Sequence, residues 1–237
     1  MANEQFFYKR PLFPAQLNMA HPLTRGLVGC WVLNENSPTS MRAWDSSPYG
    51  NHGLVSGALG RHPGRSFNGI DDLISIPDHA SLDTTGSFSV GIWFKLDSVA
   101  TDLCLMSKET GTRQQIQILF IAASKYLYSE LYDGTNAPVG LSAVNSIDTV
   151  GKWYQAWLVV NKTVDIRFII DGQPSGSPVT DTTGSIINTQ VLQIGKRTVG
   201  AGIFLDGQVG EVIFYNRALT PAEIQHNYLK PWDMFLR

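Results

Sequence analysis

Cysteine is scarce: Cys30 and Cys104 are the only two among 237 residues. Each sits in an apolar strand-like run with no second pair to build a disulfide framework, so both are expected as buried thiols. Charge is scarce too. Asp, Glu, Lys and Arg make up 16% of the chain, and 18 basic against 20 acidic residues leave a net charge of −2. Without a basic excess there is no broad attraction for nucleic acid or anionic membrane, and neither is an expected partner. Long hydrophobic runs are missing: no window reaches the roughly 18 uncharged apolar residues of a membrane span. The opening stretch MANEQFFYKRPLFPAQLN has no basic segment followed by an apolar run. Synthesis in the cytosol without a signal peptide is therefore expected.

Catalytic motifs are also lacking. There is no G-x-S-x-G elbow, no phosphate-binding G-x-x-x-x-G-K-[ST] loop and no C-x-x-C pair. His21, His52, His62, His79 and His226 are scattered beside Gly, Pro or polar turn residues, without H-x-H or H-E-x-x-H spacing, and read as surface histidines.

What the chain has is strands. GLVGCWVLN (26–34), DLISIP (72–77), FSVGIWFKLD (88–97), DLCLMSK (102–108), IQILFIAA (116–123) and KYLYSELY (125–132) are short runs rich in β-branched and aromatic residues. KWYQAWLVVN (152–161), DIRFIIDG (165–172), VLQIGKR (191–197) and GQVGEVIFYN (207–216) continue the series, with turn dipeptides such as Asp133-Gly134, Asp171-Gly172 and Asp206-Gly207 between many of them. Some ten strands without intervening helices imply an all-β chain: an antiparallel β-sandwich of jelly-roll type in one large domain. Alternation along the runs is imperfect.

One helix is written at Leu219-Thr220-Pro221-Ala222-Glu223-Ile224. Thr220 can cap, Pro221 suits the first helical position, Glu223 completes a capping box, and Leu219 with Ile224 form a hydrophobic staple. The expected span is 221–229. Residues 1–25 differ, because Pro11, Pro14 and Pro22 among apolar residues favour an extended N-terminal arm separate from a domain over 26–237. Phe6, Phe7, Tyr8, Leu12 and Phe13 of this arm need another surface to dock on, and Trp232 and Phe235 of the tail KPWDMFLR dock on their own core or on a neighbour; these are the candidate assembly residues.

Taken together, GLVGCWVLNE, WDSSPYGNHG (44–53), RSFNGIDDLISIP, FSVGIWFKL, KWYQAWLVV…IRFIIDGQ and LQIGKR…GQVGEVIFYNRALTPAEI resemble, in order, the laminin-G-like, concanavalin A-like jelly-roll domains over roughly residues 26–230. The lead-in LNMAHPLTRGLVGCW and the terminal PWDMF are similar to laminin-G-like structural proteins of tailed bacteriophages. That resemblance implies a non-enzymatic virion structural or decoration protein, on a phage head or tail, with other virion proteins and copies of itself as partners. The alternative is a carbohydrate-binding module that adsorbs to host-surface or mucus glycans.

Some relatives bind calcium, which makes Asp71, Asp72 and Asp206 candidate ligands. Calcium wants six to eight oxygens, however, and adjacent strand residues face opposite ways, so Asp71 and Asp72 read first as turn capping and no cofactor is expected. The position before Glu211, often acidic in the family, is Gly210 here. The glucanases of this fold use a Glu-x-Asp-x-x-Glu strand motif, which is absent; Glu130 and Asp133 are the nearest imitation, and no enzyme is expected. For a sugar ligand the loop-borne Trp44, Tyr49 and Tyr132 are the candidate stacking rings. Trp31, Trp93, Trp153 and Trp157 fall inside strand runs and read as sandwich core.

Overall fold

The computed structural model describes residues 6, 9–110, 112, 114–199 and 202–236. Phe7 and Tyr8, two of the expected assembly residues, lie outside this set. Two eight-stranded antiparallel sheets form a sandwich. The first sheet runs in the order β14 (Gln173–Val179), β13 (Asp165–Ile170), β12 (Trp153–Asn161), β7 (Phe88–Leu96), β16 (Asp206–Tyr215), β5 (Gly64–Asn68) and β4 (Leu59–Arg61); β1 (Leu27–Trp31) also pairs with β16. The second runs β11 (Val139–Leu141), β10 (Tyr126–Glu130), β9 (Gln114–Ile121), β8 (Leu103–Glu109), β15 (Leu192–Ile194), β6 (Leu73–Ile76), β3 (Gly53–Ser56) and β2 (Arg42–Ala43). All ten strands read from the sequence are present.

The space between the sheets is filled by alternate residues of facing strands, including Val90, Ile92 and Phe94 of β7 and Ile116, Ile118 and Phe120 of β9. A second apolar cluster lies on the other face of the first sheet, where Trp93, Trp157, Val159, Ile213 and Tyr215 point. The long central strands are therefore buried on both faces, which is why their sequences run apolar instead of alternating. Trp31 belongs to the inter-sheet core, but Trp93, Trp153 and Trp157 belong to this second cluster.

The two ends of the chain cover it. Helix α1 (Pro221–Leu229) starts as its sequence dictates, with Thr220 Oγ1 accepting from the Glu223 amide and Glu223 Oε2 accepting from the Thr220 amide at 2.9 Å. It buries Ile224 in the second cluster. Phe6 stacks on Trp93 with ring centroids 4.3 Å apart and on Trp232 at 5.2 Å. Chain segments 16–18 and 234–236 exchange backbone hydrogen bonds, Asn18 N–H to Met234 O and Leu236 N–H to Gln16 O, each 2.8 Å. Tyr215 Oη donates to Leu23 O at 2.6 Å.

The reading of the arm as a docking element for neighbouring subunits is thus corrected for Phe6, and for Trp232 and Phe235 the surface docked on is the chain's own core. All three are buried within their own chain. The physical reason is the tryptophan-rich back of the first sheet, an apolar surface that one chain already possesses and its own ends are long enough to reach. Gly210 belongs to the same arrangement, since a Cβ there would stand 2.4 Å from the Phe6 ring. Phe13 is half-buried beside Trp44, and Leu12 alone of the described candidates stays fully outside, 88% exposed. Cys30 and Cys104 are buried free thiols, as expected. Among the described residues no helix is long and apolar enough to cross a membrane.

Candidate functional site

The loop from β2 to β3 is organised by one carboxylate. Asp45 Oδ1 accepts from the amides of Cys30 and Ser47, each at 2.8 Å, while Oδ2 accepts from the Ser47 hydroxyl and the Asn51 amide, each at 2.7 Å. Asn51 Nδ2 then donates to Val28 O at 3.0 Å and to Ser81 Oγ at 2.8 Å, and Trp31 Nε1 donates to Asn51 O at 2.8 Å. Four donors on one buried acid and an amide bridging two loops leave little freedom. At the tip stands Tyr49, next to Gly50 at φ +64° and 48% exposed.

The facing segment, 77–87, holds a 3-10 turn at Ala80–Leu82 whose cap is His79, with Nδ1 accepting from the Ser81 amide at 3.2 Å. Its anchor is Lys108 of β8. The Lys108 ammonium has no exposed surface and lies 2.9 Å from both Asp78 and Asp83, while also donating to Asn188 O. A buried cation with two carboxylates and a carbonyl is well compensated, and it ties the segment to the second sheet.

Between these loops is an open cleft of about 560 Å³ lined by Tyr49, His79, Ser81, Asp83, Thr84, Thr85, Ser87 and Asn216. A Cβ built on Gly86 would meet nothing within 4 Å, so that rim is open. Among the described residues no other ring stacks on Tyr49. An unstacked aromatic face beside hydroxyl, imidazole and amide groups can take the apolar face of a sugar and bond its hydroxyls.

The other two proposed rings are elsewhere. Trp44 meets His52 at 4.6 Å and Phe13 at 6.1 Å in edge geometry, with the Arg42 guanidinium 4.9 Å from its ring. Its amide donates to Glu35 Oε1 at 3.0 Å, and Glu35 Oε2 is paired with Arg65 at 3.0 Å. Phe13 and Glu35, which meet Trp44, help line a second cleft of about 440 Å³ together with Arg61 and His62; Trp44 itself is not part of its lining. Tyr132 is half-buried and lines neither of these clefts. The structure does not bring Trp44, Tyr49 and Tyr132 together.

Asp71 and Asp72 serve a turn. Asn68 Oδ1 accepts from the amides of Ile70 at 2.9 Å, Asp71 at 3.1 Å and Asp72 at 3.3 Å; Asp72 Oδ2 accepts from the Asn68 amide at 3.0 Å, and Asp71 Oδ1 from Asn68 Nδ2 at 2.8 Å. Asp206 lies behind Gly69, and burial, then the nearby Asp97, pushes its carboxyl up. Asp71, Asp72 and Asp206 do not gather into one ligand set among the described residues. Glu130 accepts from Tyr128 Oη at 3.1 Å; burial, then Glu130, raises that phenol to about 12. Asp133 is held below the usual carboxylate range by the amides of Asn136 at 2.7 Å and Gly184 at 2.6 Å. Each of these two acids is committed to its own turn or strand end.

Sequence reasoning missed Glu211. It lies fully buried opposite Trp93, with neither carboxylate oxygen hydrogen-bonded among the described residues. Burial drives its carboxyl up to about 8, and Arg10 tempers the rise. Arg10 itself, lowered to about 10 by burial, donates to Val32 O and to Gly210 O at 2.7 Å. GEVIFY reads as an ordinary strand, and nothing in it announces that the arm will seal this acid. The hydroxyls of the Tyr49 cleft were missed for a related reason, since nothing local in DTTGSFS singles out its Ser and Thr side chains.

The family model of the concanavalin A-like lectin/glucanases superfamily matches residues 68–225. No curated protein matches the chain. Among solved structures, Trypanosoma rangeli sialidase in complex with 2,3-difluorosialic acid superposes with a TM-score of 0.69 at 21% identity, covering 89% of this chain and 34% of the sialidase. The binding domain of Paraclostridial mosquitocidal protein 1 gives 0.69 at 13% identity, covering 89% and 53%. Botulinum neurotoxin type C, described as depending for cell entry on two ganglioside molecules, gives 0.67 at 13% identity, covering 89% and 52%. The chain thus spans about a third of the sialidase and about half of the toxin chains, and at these identities the likeness is one of fold. With well over half of its length matched and both sheets of the jelly roll in place, this chain belongs to the concanavalin A-like lectin/glucanase superfamily.

Proposed function

We propose that the chain is a non-catalytic glycan-binding module whose sugar sits in the Tyr49 cleft. The observation that carries this reading is the half-exposed, unstacked Tyr49 ring, fixed by the Asp45 and Asn51 hydrogen bonds at the mouth of a hydroxyl-lined cleft. The same fold in toxin binding domains supports it. Catalysis is not part of the proposal, because Asp78 and Asp83 share the Lys108 ammonium and neither stands free as acid or nucleophile. No cofactor is assigned to the sugar site. The likeness of the lead-in and tail to phage structural proteins makes a virion surface the proposed setting, with host-surface glycans as ligand. Contacts to other virion proteins or further copies then fall to the exposed Leu12 and Leu236, because Phe6, Trp232 and Phe235 are engaged within the chain.

A glycan microarray followed by calorimetry tests the site. Tyr49→Ala should weaken the best glycan about tenfold or more, the equivalent of about 1.4 kcal/mol, with an unchanged melting temperature. Undiminished binding by that variant, or no binding across the array, overturns the proposal. Release of products from a bound glycan would overturn its non-catalytic part.

A further inference from the structure

We propose that His21, His226 and Asp233 form a binding site for a divalent transition-metal ion of the Zn²⁺ type. The three residues come from separate segments: His21 precedes the 3-10 turn at Pro22–Thr24, His226 is on α1, and Asp233 follows the helix. Their ligand atoms lie within 4.8 Å of one another, and among the described residues no other group of His, Cys, Asp or Glu does this. Both imidazole Nε2 atoms face one oxygen, with His226 3.1 Å and His21 3.8 Å from Asp233 Oδ2.

These distances suit a metal better than a hydrogen-bonded triad. Zinc bonds of about 2.0–2.2 Å to nitrogen and oxygen in a tetrahedron place neighbouring ligand atoms about 3.3–3.5 Å apart. The observed 3.1 and 3.8 Å bracket that edge. By contrast, 3.8 Å is beyond hydrogen-bond range, so Asp233 satisfies His226 and leaves His21 Nε2 unbonded among the described residues. The side chains are 18%, 39% and 33% exposed for His21, His226 and Asp233, which leaves an entry path and room for water as fourth ligand. Two imidazoles and a carboxylate select a transition metal over calcium, which takes oxygen. On binding, the His21 ring proton resides on Nδ1, and the Leu23 amide gives up its 3.2 Å contact to that atom.

The site joins the N-terminal segment to the helix and tail that cover the back of the first sheet, so a bound ion stabilises that cover by mass action. The experiment uses full-length, tag-free protein with Zn²⁺, Ca²⁺ or chelator. Zn²⁺ should raise the melting temperature by several degrees, and Ca²⁺ should not. Co²⁺ should develop the visible absorption of a four-coordinate N₂O₂ site. His226→Gln and Asp233→Asn should each lose the Zn²⁺ shift and weaken Co²⁺ binding by more than the roughly 10–100-fold typical of losing a supporting partner. If one variant does not fold, the other and the wild-type Co²⁺ spectrum still decide. No Zn²⁺ shift, a shift retained in both variants, or sensitivity to pH alone would overturn the site. Glycan binding through Tyr49 is independent of every one of these outcomes.

Discussion

Replacing Glu211 by Gln should remove a pH dependence that the fold has built into its second core. The carboxyl is fully buried without a hydrogen-bond partner among the described residues, and burial raises it from 4.5 to about 8. The folded chain therefore holds a proton that the unfolded chain releases near 4.5. Its contribution to stability is fully present below 4.5 and is lost progressively as pH rises to about 8. At about 1.4 kcal/mol per pKa unit the whole swing is on the order of 5 kcal/mol, reduced in practice by water entry around an ionised buried acid. Asp72, Asp171 and Asp206 are also raised by burial, but they are present in both proteins and cancel in the difference. Urea unfolding of wild type and Glu211→Gln, from about pH 5 to about pH 8.5, gives that difference directly. The wild type should lose several kcal/mol relative to the variant across the range. Arg10→Met should move the loss to higher pH, because Arg10 is the charge that lowers the acid. A difference that stays constant within about 0.5 kcal/mol would refute the buried-acid reasoning.

Three further outcomes follow from the packing. Phe6→Ala should cost about 3–5 kcal/mol in unfolding experiments, because the ring is fully buried against Trp93 and Trp232; a loss below about 1 kcal/mol would return the arm to the role of a free docking element. Lys108→Met should also destabilise, by about 3–5 kcal/mol, since Asp78 and Asp83 lose their shared cation; a wild-type denaturation midpoint would contradict that account. Asp72→Asn should cost about 1 kcal/mol or less, with calcium leaving the melting temperature of both proteins unchanged; a calcium-dependent rise confined to the wild type would show that Asp72 is a ligand.

The fold was legible because its signals are local. Ten strands lie in runs that show β-branched and aromatic enrichment, and Thr220 to Ile224 spell a helix start that needs no tertiary partner. β2, β3, β4, β5, β11 and β14 escaped notice because their sequences carry few β-branched or aromatic residues and much Gly, Ser or Arg, and β14, QPSGSPV, carries two prolines on a sheet edge where missing donors cost nothing. Tyr49 could be nominated from its loop, but not the hydroxyls that surround it. The sequence by itself determined the β-sandwich, the capped helix, the buried thiols and the turn at Asn68, since each follows from residues within a few positions of one another. Only the tertiary structure decided that the arm covers its own sheet, that Glu211 lies buried on the sheet face Phe6 covers, that Trp44 stands apart from the Tyr49 cleft, and that His21 meets His226 and Asp233. Those facts depend on which distant segments share a surface, and local patterns of polarity carry no record of it.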